Sequence, residues 1–248
     1  MKKIVTLTLC VLLAAVLLTG CVTVNFSPFR MGSVSGSGDM ETFSFSVDEI
    51  TELRVEMLCN IIYYSAPSNT ATFEIQRNLH QYITFEESNG VLTVRATRNI
   101  NFTGTTNTPV LTISTPSLKS LSHAGAGTFT AVDTITGDSF SLNITGAANG
   151  NANLDVNSLD VNLAGAGSIN LSGKADIADI RMAGAGRLDA LELQTRIASI
   201  NLAGVGMVRI SCSDNLSITA GGVGTVEYRG TPSIDTSRGG LVTVRQVN

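Results

Sequence analysis

A glycine motif recurs through the second half of the chain and limits its folding more than any other feature. Gly-x-Gly, or a close variant, begins at Gly125, Gly146, Gly165, Gly184, Gly204, Gly222 and Gly240, with successive spacings of 21, 19, 19, 20, 18 and 18 residues. The clearest units read SLDVNLAGAGSINLSGKAD, IADIRMAGAGRLDALELQTR and IASINLAGVGMVRISCSDN. Each holds two alternating runs around a glycine corner, the period of a strand with one buried face. A repeat of about 19 residues is too short for two parallel strands joined by a crossover helix, and alone it cannot bury its apolar side. Stacking meets both constraints. Each unit becomes one coil of a parallel β-solenoid, and at about 4.8 Å per coil the seven units make a rod of about 34 Å.

Alignment on the glycine separates inward from outward columns. Leu142, Val161, Ile180, Ile200 and Ile218 stand four residues before it, and Ile144, Leu163, Met182, Leu202 and Ala220 two before. Phe129, Ile169, Leu188, Val208, Val226 and Val244 stand four after it, a column that Gly150 interrupts. These predict two apolar walls enclosing a narrow core. Among outward positions, Thr130, Asn170, Asp189, Arg209, Glu227 and Arg245 share one offset, and the last four alternate in charge, a pattern that neighbouring coils would read as register. A second outward column holds Asn143, Asn162, Arg181 and Asn201 beside Ala164, Ala183 and Ala203. This amide-rich strip is the candidate binding surface, with Asn143, Asn162, Arg181 and Asn201 as its residues. It suits an extracellular glycan, another surface protein, or the same strip on a second copy, because an amide both donates and accepts hydrogen bonds.

The first half has no such period. Lys2 and Lys3, an apolar run from Ile4 to Leu18, and Leu18-Thr19-Gly20-Cys21 read as a lipoprotein signal over residues 1–20, with lipidation on Cys21. The apolar run is shorter than the roughly 20 residues a membrane-spanning helix needs. The mature chain is then tied through its lipid anchor to the outer face of a bacterial membrane, the outer membrane in a diderm host, since Val22 rather than Asp follows the cysteine. Residues 21–40 carry turn formers and read as a flexible tether. Residues 41–248 form a single β-helix domain, with an irregular β-rich part over 41–115 and regular coils over 116–248. Short β-patterned runs fill the irregular part, and Asn89-Gly90 between two of them marks a hairpin.

The segments Leu53-Arg54-Val55, Asn89-Gly90-Val91-Leu92-Thr93-Val94 and Ser114-Thr115-Pro116-Ser117-Leu118-Lys119-Ser120-Leu121, followed by Gly165 to Asn170, resemble the head GIN domain. That family comprises bacterial lipoproteins and auto-transporter adhesin heads. The resemblance runs from about Glu41 to Asn248 and implies an all-β, right-handed parallel β-helix with an adhesive role and no agreed catalytic residues. Gly146-Ala147-Ala148 and the corner at Gly240 depart from its pattern.

The chemistry-bearing residues are sparse. Sixteen Lys plus Arg against 20 Asp plus Glu give a net charge of −4, and loss of Lys2 and Lys3 with the signal leaves 14 against 20, or −6, without a basic block. No footprint for nucleic acid results. No phosphate-loop motif occurs, and Gly221-Gly222-Val223-Gly224-Thr225-Val226 puts Val226 where a calcium-binding nonapeptide needs Asp. His80 and His123 lack neighbours at metal-ligand spacing, and His123 falls in an inward column. Cys59 and Cys212 sit among apolar neighbours and read as buried free thiols rather than a bridge. Asp155, Asp160, Asp176 and Asp179 flank turns, where Asp caps bends. The expectation is a protein without cofactor, metal or catalytic residues, acting in adhesion, glycan binding or scaffolding. The competing reading is a β-helical carbohydrate-active enzyme, a lyase or hydrolase.

Overall fold

The computed structural model describes residues 32–97, 100–105 and 107–248. The signal segment and Cys21 lie outside the described residues. Of the described residues 74% are strand, with a solenoid of about seven turns at the expected 19-residue spacing. Strands Ala147–Leu163, Ala166–Met182 and Ala185–Leu202 each run from one glycine corner to the next and pair parallel with the following coil.

The inward columns fall where the glycine alignment puts them. Leu142, Val161, Ile180, Ile200 and Ile218 are in register and no more than 1% exposed, as are Ile144, Leu163, Met182, Leu202 and Ala220. The core has three walls, however, not two. Leu154 and Leu193 in one column, and Val156, Ala175, Thr195 and Cys212 in the next, are buried on a third stretch of each coil. The coil Ala185–Leu202 carries one extra residue relative to the coil before it, between Asp189 and Glu192, and three relative to the coil after it, between Ala190 and Gln194. Counting from the glycine therefore loses this wall.

The corners show why glycine is needed there. A Cβ on Gly146, Gly165 or Gly184 would lie 1.6, 1.8 or 1.7 Å from the carbonyl oxygen of the corner glycine one coil earlier. Successive corners approach closely enough that Ala147, Ala166 and Ala185 donate their N–H groups to those same oxygens at 2.9, 2.9 and 3.0 Å. The two departures from the motif keep this corner. Ala147 pairs in register with Ala126 and Ala166, Ala148 is buried, and a Cβ on Gly240 would lie 2.0 Å from Gly222 O.

The N-terminal part continues the solenoid with its coils out of chain order. Glu52–Glu56 pairs parallel with Ser120–His123, and Asn60–Ser65 with Ala126–Ala131, on the side facing the regular coils. On the other side the same two strands pair parallel with Val91–Ala96 and Val110–Thr115. The coil at 52–65 is therefore sandwiched between a coil later in sequence and the start of the regular stack. Antiparallel strands then close the end. Ile83–Ser88 returns on Val91–Ala96 through the Asn89-Gly90 turn, where both residues have positive φ (52° and 79°) as such a hairpin requires. Thr70–Gln76 covers Val110–Thr115, and Met40–Ser46 covers Thr70–Gln76. A short 3-10 helix, Arg77–Tyr82, joins the capping strands. Gly32–Ser35 pairs with Ile100–Thr103, so the stretch read as a tether already carries paired strand at its C-terminal end.

The core changes character between the two parts. Tyr63 and Phe73 are fully buried under the cap, and Phe45, Phe73 and Phe85 form an aromatic cluster with centroids 4.5 and 5.3 Å apart. Beyond Phe140 the fully buried side chains are aliphatic residues and alanine, with Met182 and Cys212 among them and no aromatic ring. Cys59 and Cys212 are buried free thiols, as expected, and burial pushes the Cys59 thiol up to about 12.

Candidate interaction surfaces

The strip anticipated from the repeat exists as a column. Asn143, Asn162, Arg181, Asn201 and Thr219 are in parallel register, one per coil, on the outer side of the wall whose inner side carries Leu163 and Met182. Asn143 donates from Nδ2 to Ser141 Oγ at 3.1 Å. Among the described residues the side chains of Asn162 and Asn201 make no hydrogen bond, which leaves their amides to solvent. Arg181 differs. Its guanidinium binds Asp160 at 2.7 Å and Asp179 at 2.5 Å, and the hydrogen bond with Asp160 raises its pKa above the ordinary arginine value. Its charge is thus shared between the preceding coil and its own. Ala164, Ala183 and Ala203 beside the column are exposed, so the strip is a shallow surface of amides and methyl groups.

A concave surface lies on a different edge. The extra residue in the coil Ala185–Leu202 sets Ala190 and Leu191 against Leu171 alone, since Asn170 pairs with Asp189 but Ser172 with Glu192, and Leu191, Glu192 and Leu193 fall outside the ladder with the following coil. The result is a groove of about 570 Å³ running along the solenoid axis. One rim is the register column Asn151, Asn170, Asp189 and Arg209; the other carries Asn153, Ser172, Glu192 and Arg229; Ala152, Leu171 and Leu191 form the floor. The repeat pointed to the first rim, because Asn170, Asp189 and Arg209 share an offset. The bulge that turns the rim into a groove carries no periodic signal.

Hydrogen bonding organises this edge. Asn170 Nδ2 donates to Asn151 Oδ1 at 2.9 Å, and Ser172 Oγ to Asn153 Oδ1 at 3.2 Å, ladders between identical positions of adjacent coils. The charges of the column alternate and pair as expected. Arg209 Nη1 meets Asp189 at 2.7 Å, Arg209 Nε meets Glu227 at 2.9 Å, and Arg245 closes the series on Glu227. Burial acts to raise the Asp189 pKa, but hydrogen bonds from Arg187 and Arg209 outweigh it and hold the carboxyl below its ordinary value. The hydrogen bond from Arg245 does the same for Glu227. On the second rim, Arg229 Nη1 reaches Leu191 O and Glu192 Oε1, both at 3.3 Å.

The remaining candidates are structural in their geometry. His123 is fully buried in the inward column headed by Ile144, with Nε2 3.3 Å from Met57 O and Nδ1 without a partner; burial lowers its pKa. His80 stacks on Phe43 at 3.5 Å in the cap. The acids expected to flank turns, Asp155, Asp160, Asp176 and Asp179, lie instead within the long strands Ala147–Leu163 and Ala166–Met182, which run on through the bends of each coil; Asp160 and Asp179 engage Arg181, and Asp176 lies 3.5 Å from Lys174. No group of three or more metal-ligating side chains occurs among the described residues.

Sequence and structure comparison relate this fold to known proteins. The family described as "Putative auto-transporter adhesin, head GIN domain" matches residues 49–232. The chain belongs to this family. The head GIN match opens just before the displaced coil and ends before the last rung, Leu241–Gln246. A "putative adhesin" from Bacteroides fragilis superposes with a TM-score of 0.82 at 22% identity, over 86% of this chain and 100% of the other. A "putative lipid binding protein" from Parabacteroides distasonis gives 0.70 at 22% identity over 87% and 100%. A "putative adhesin" from Parabacteroides merdae gives 0.63 at 22% identity over 88% and 100%. At that identity the likeness is one of fold. No curated protein matches the chain. In this head GIN domain, the repeating side chains the fold presents outward are set by coil register.

Proposed function

We propose that the protein is a non-catalytic surface binder, lipidated on Cys21 and carried on the outer face of a bacterial membrane, where it works in adhesion or scaffolding. The observation that carries this reading is the column Asn143, Asn162, Arg181 and Asn201, one outward side chain per coil in continuous register. A repeating surface polymer or protein can meet such a column with one contact per coil, and weak contacts add when they are held rigid. Two amides of the column, Asn162 and Asn201, have their hydrogen-bonding groups free for a partner. Asp160, Asp176, Asp179, Asp189 and Glu227 are each held in ion pairs with Arg or Lys, whereas a lyase or hydrolase needs an acid and a base free to exchange protons with substrate. The adhesin names of the family and of its solved relatives agree with this reading.

The test is adhesion of cells displaying the wild-type chain against cells displaying Asn143→Ala, Asn162→Ala and Asn201→Ala together. Each lost hydrogen bond is worth about 0.5 to 1.5 kcal/mol, so the triple variant should bind one to three orders of magnitude more weakly at unchanged thermal stability. Undiminished adhesion would contradict the assignment of this face. Fatty-acid labelling checks the anchor: Cys21→Ala should abolish it.

A further inference from the structure

We infer that the groove over Leu171 and Leu191 is a second binding site, and that it takes an extended, neutral oligosaccharide. The inference rests on the reading of the protein as a surface binder, but not on which face that reading uses.

Shape gives the first argument. The lining residues come from consecutive coils, from Asn151 through Asn170 and Asp189 to Arg209, so the groove follows the solenoid axis for about 14 Å at about 4.8 Å per coil. Its two rims stand two residues apart on each strand, as Asn151 and Asn153 do, or about 7 Å. An open channel of that length and width accepts several linked rings in line rather than one compact molecule.

The polar groups give the second argument. Asn170 and Asn151 use one donor and one acceptor on each other, which leaves the Asn151 Nδ2 and the Asn170 Oδ1 unpartnered on the same rim. Ser172 Oγ donates to Asn153 and keeps its accepting lone pairs. Donors and acceptors thus alternate over a few ångströms. A hydroxyl does both, so vicinal hydroxyls match this pattern, whereas a carboxylate or phosphate would need donors alone and an ammonium acceptors alone.

Charge gives the third. The four ionised groups of the lining are two acids and two bases, and they are committed to one another: Arg209 to Asp189 at 2.7 Å and Arg229 to Glu192 at 3.3 Å. A charged ligand would have to displace one of these partners. A neutral one leaves both pairs intact. Ala152, Leu171 and Leu191, only 3 to 6% exposed, close the floor with apolar side chains, and the planar amides of the rims offer the hydrogen bonds.

The experiment is calorimetric titration of the full-length protein in a non-glycosidic detergent with cellohexaose, mannohexaose, maltohexaose and, as a charged control, hexagalacturonate. At least one neutral hexasaccharide should bind saturably and more tightly than hexagalacturonate. Asn151→Ala with Asn170→Ala should weaken that binding ten- to hundredfold, and Ser172→Trp, which fills the channel from an outward position, should abolish it, both at unchanged melting temperature. The triple alanine variant of Asn143, Asn162 and Asn201 should bind the sugar like wild type, which separates this site from the amide strip. The inference is overturned if no neutral hexasaccharide binds, if hexagalacturonate or a ten-residue neutral Ser/Thr peptide binds more tightly, or if the strip variant loses the sugar while both groove variants keep it.

Discussion

The two ends of the solenoid solve the same problem in opposite ways. Every rung of a parallel stack exposes unpaired N–H and C=O groups at its last strand, an invitation to further pairing. At the N-terminal end, Ile83–Ser88, Thr70–Gln76 and Met40–Ser46 turn antiparallel and cover the stack, with Phe45, Phe73 and Phe85 packed beneath. At the other end the final rungs, Ser233–Arg238 and Leu241–Gln246, pair on one side only, and every residue of Ser233–Arg238 is exposed. There the edge carries charge, with Asp235, Arg238 and Arg245 along it, the device natural sheets use against edge-to-edge association. The capped end draws its stability from large aromatics and long-range pairing. The regular coils draw theirs from identical small corners and aliphatic ladders.

That contrast explains what the sequence discloses. In the regular coils each rung touches its sequence neighbours, so contact in space appears as a period in the chain, and the columns through Leu163 and Asn162 are found by counting. The coil at 52–65 touches 91–115 on one side and 120–131 on the other, and a search for periods has no access to contacts made out of order. The local signals there did survive: the Asn89-Gly90 hairpin and the strands around Leu53 and Val91 are where the pattern puts them. The third wall and the groove were hidden for a different reason, extra residues around Leu191, one relative to the preceding coil and three relative to the following one, which break the count without breaking the stack. Of the surfaces, the strip was legible because it repeats, and the groove was not because it depends on an irregularity.

The largest expected effect is at a regular corner. Gly165→Ala places a methyl 1.8 Å from Gly146 O, where two backbones already touch, and should cost about 3 kcal/mol or more and unfold much of the chain on heating. Gly221→Ala, with nothing within 4 Å of its Cβ, should change the midpoint by no more than about 0.5 kcal/mol in denaturant titrations. Equal effects would mean that the coils do not approach at the first glycine of the motif.

Next is the inside-outside test of the same ladder. Leu163→Asp buries a carboxylate in a column that is 1% exposed and should destabilise by several kcal/mol, on the order of 3 to 5. Asn162→Asp, one residue away on the outer side, should be close to silent. Chemical denaturation of the two variants side by side decides it, and similar losses would break the register.

A smaller, pH-dependent effect is expected where the regular stack meets the displaced coil. Burial lowers the pKa of His123, so the folded chain holds it neutral while the unfolded chain protonates near pH 6.5. Below that pH the unfolded state binds the extra proton, and stability falls as pH is lowered until the folded-state pKa is reached. His123→Leu, the residue found at this position as Leu163 and Leu202 in later coils, should flatten the stability curve between pH 6.5 and 5 while changing stability at pH 8 by only about 1 kcal/mol. An unchanged slope would assign the acid sensitivity to the carboxylates. The smallest effect belongs to the open end. Glu227→Gln removes the shared partner of Arg209 and Arg245 and should lower the melting temperature slightly, with the difference from wild type shrinking as salt is raised.

The claim that joins the two regions is that one register runs through the whole stack, including the coil placed out of chain order. Arg54 and Ser122 are parallel neighbours with outward side chains, and so are Arg54 and Thr93, whereas Thr93 and Ser122 are separated by the intervening strand. Paired cysteines read this directly, since a disulfide requires Cα atoms about 4.4 to 6.8 Å apart and adjacent strands stand about 4.8 Å apart. The buried Cys59 and Cys212 leave the background low. Under mild oxidation, Arg54→Cys with Ser122→Cys and Arg54→Cys with Thr93→Cys should each form an intramolecular disulfide, and Thr93→Cys with Ser122→Cys should not. A disulfide in that last pair, with none between positions 54 and 122, would place the coils in simple chain order and contradict the account.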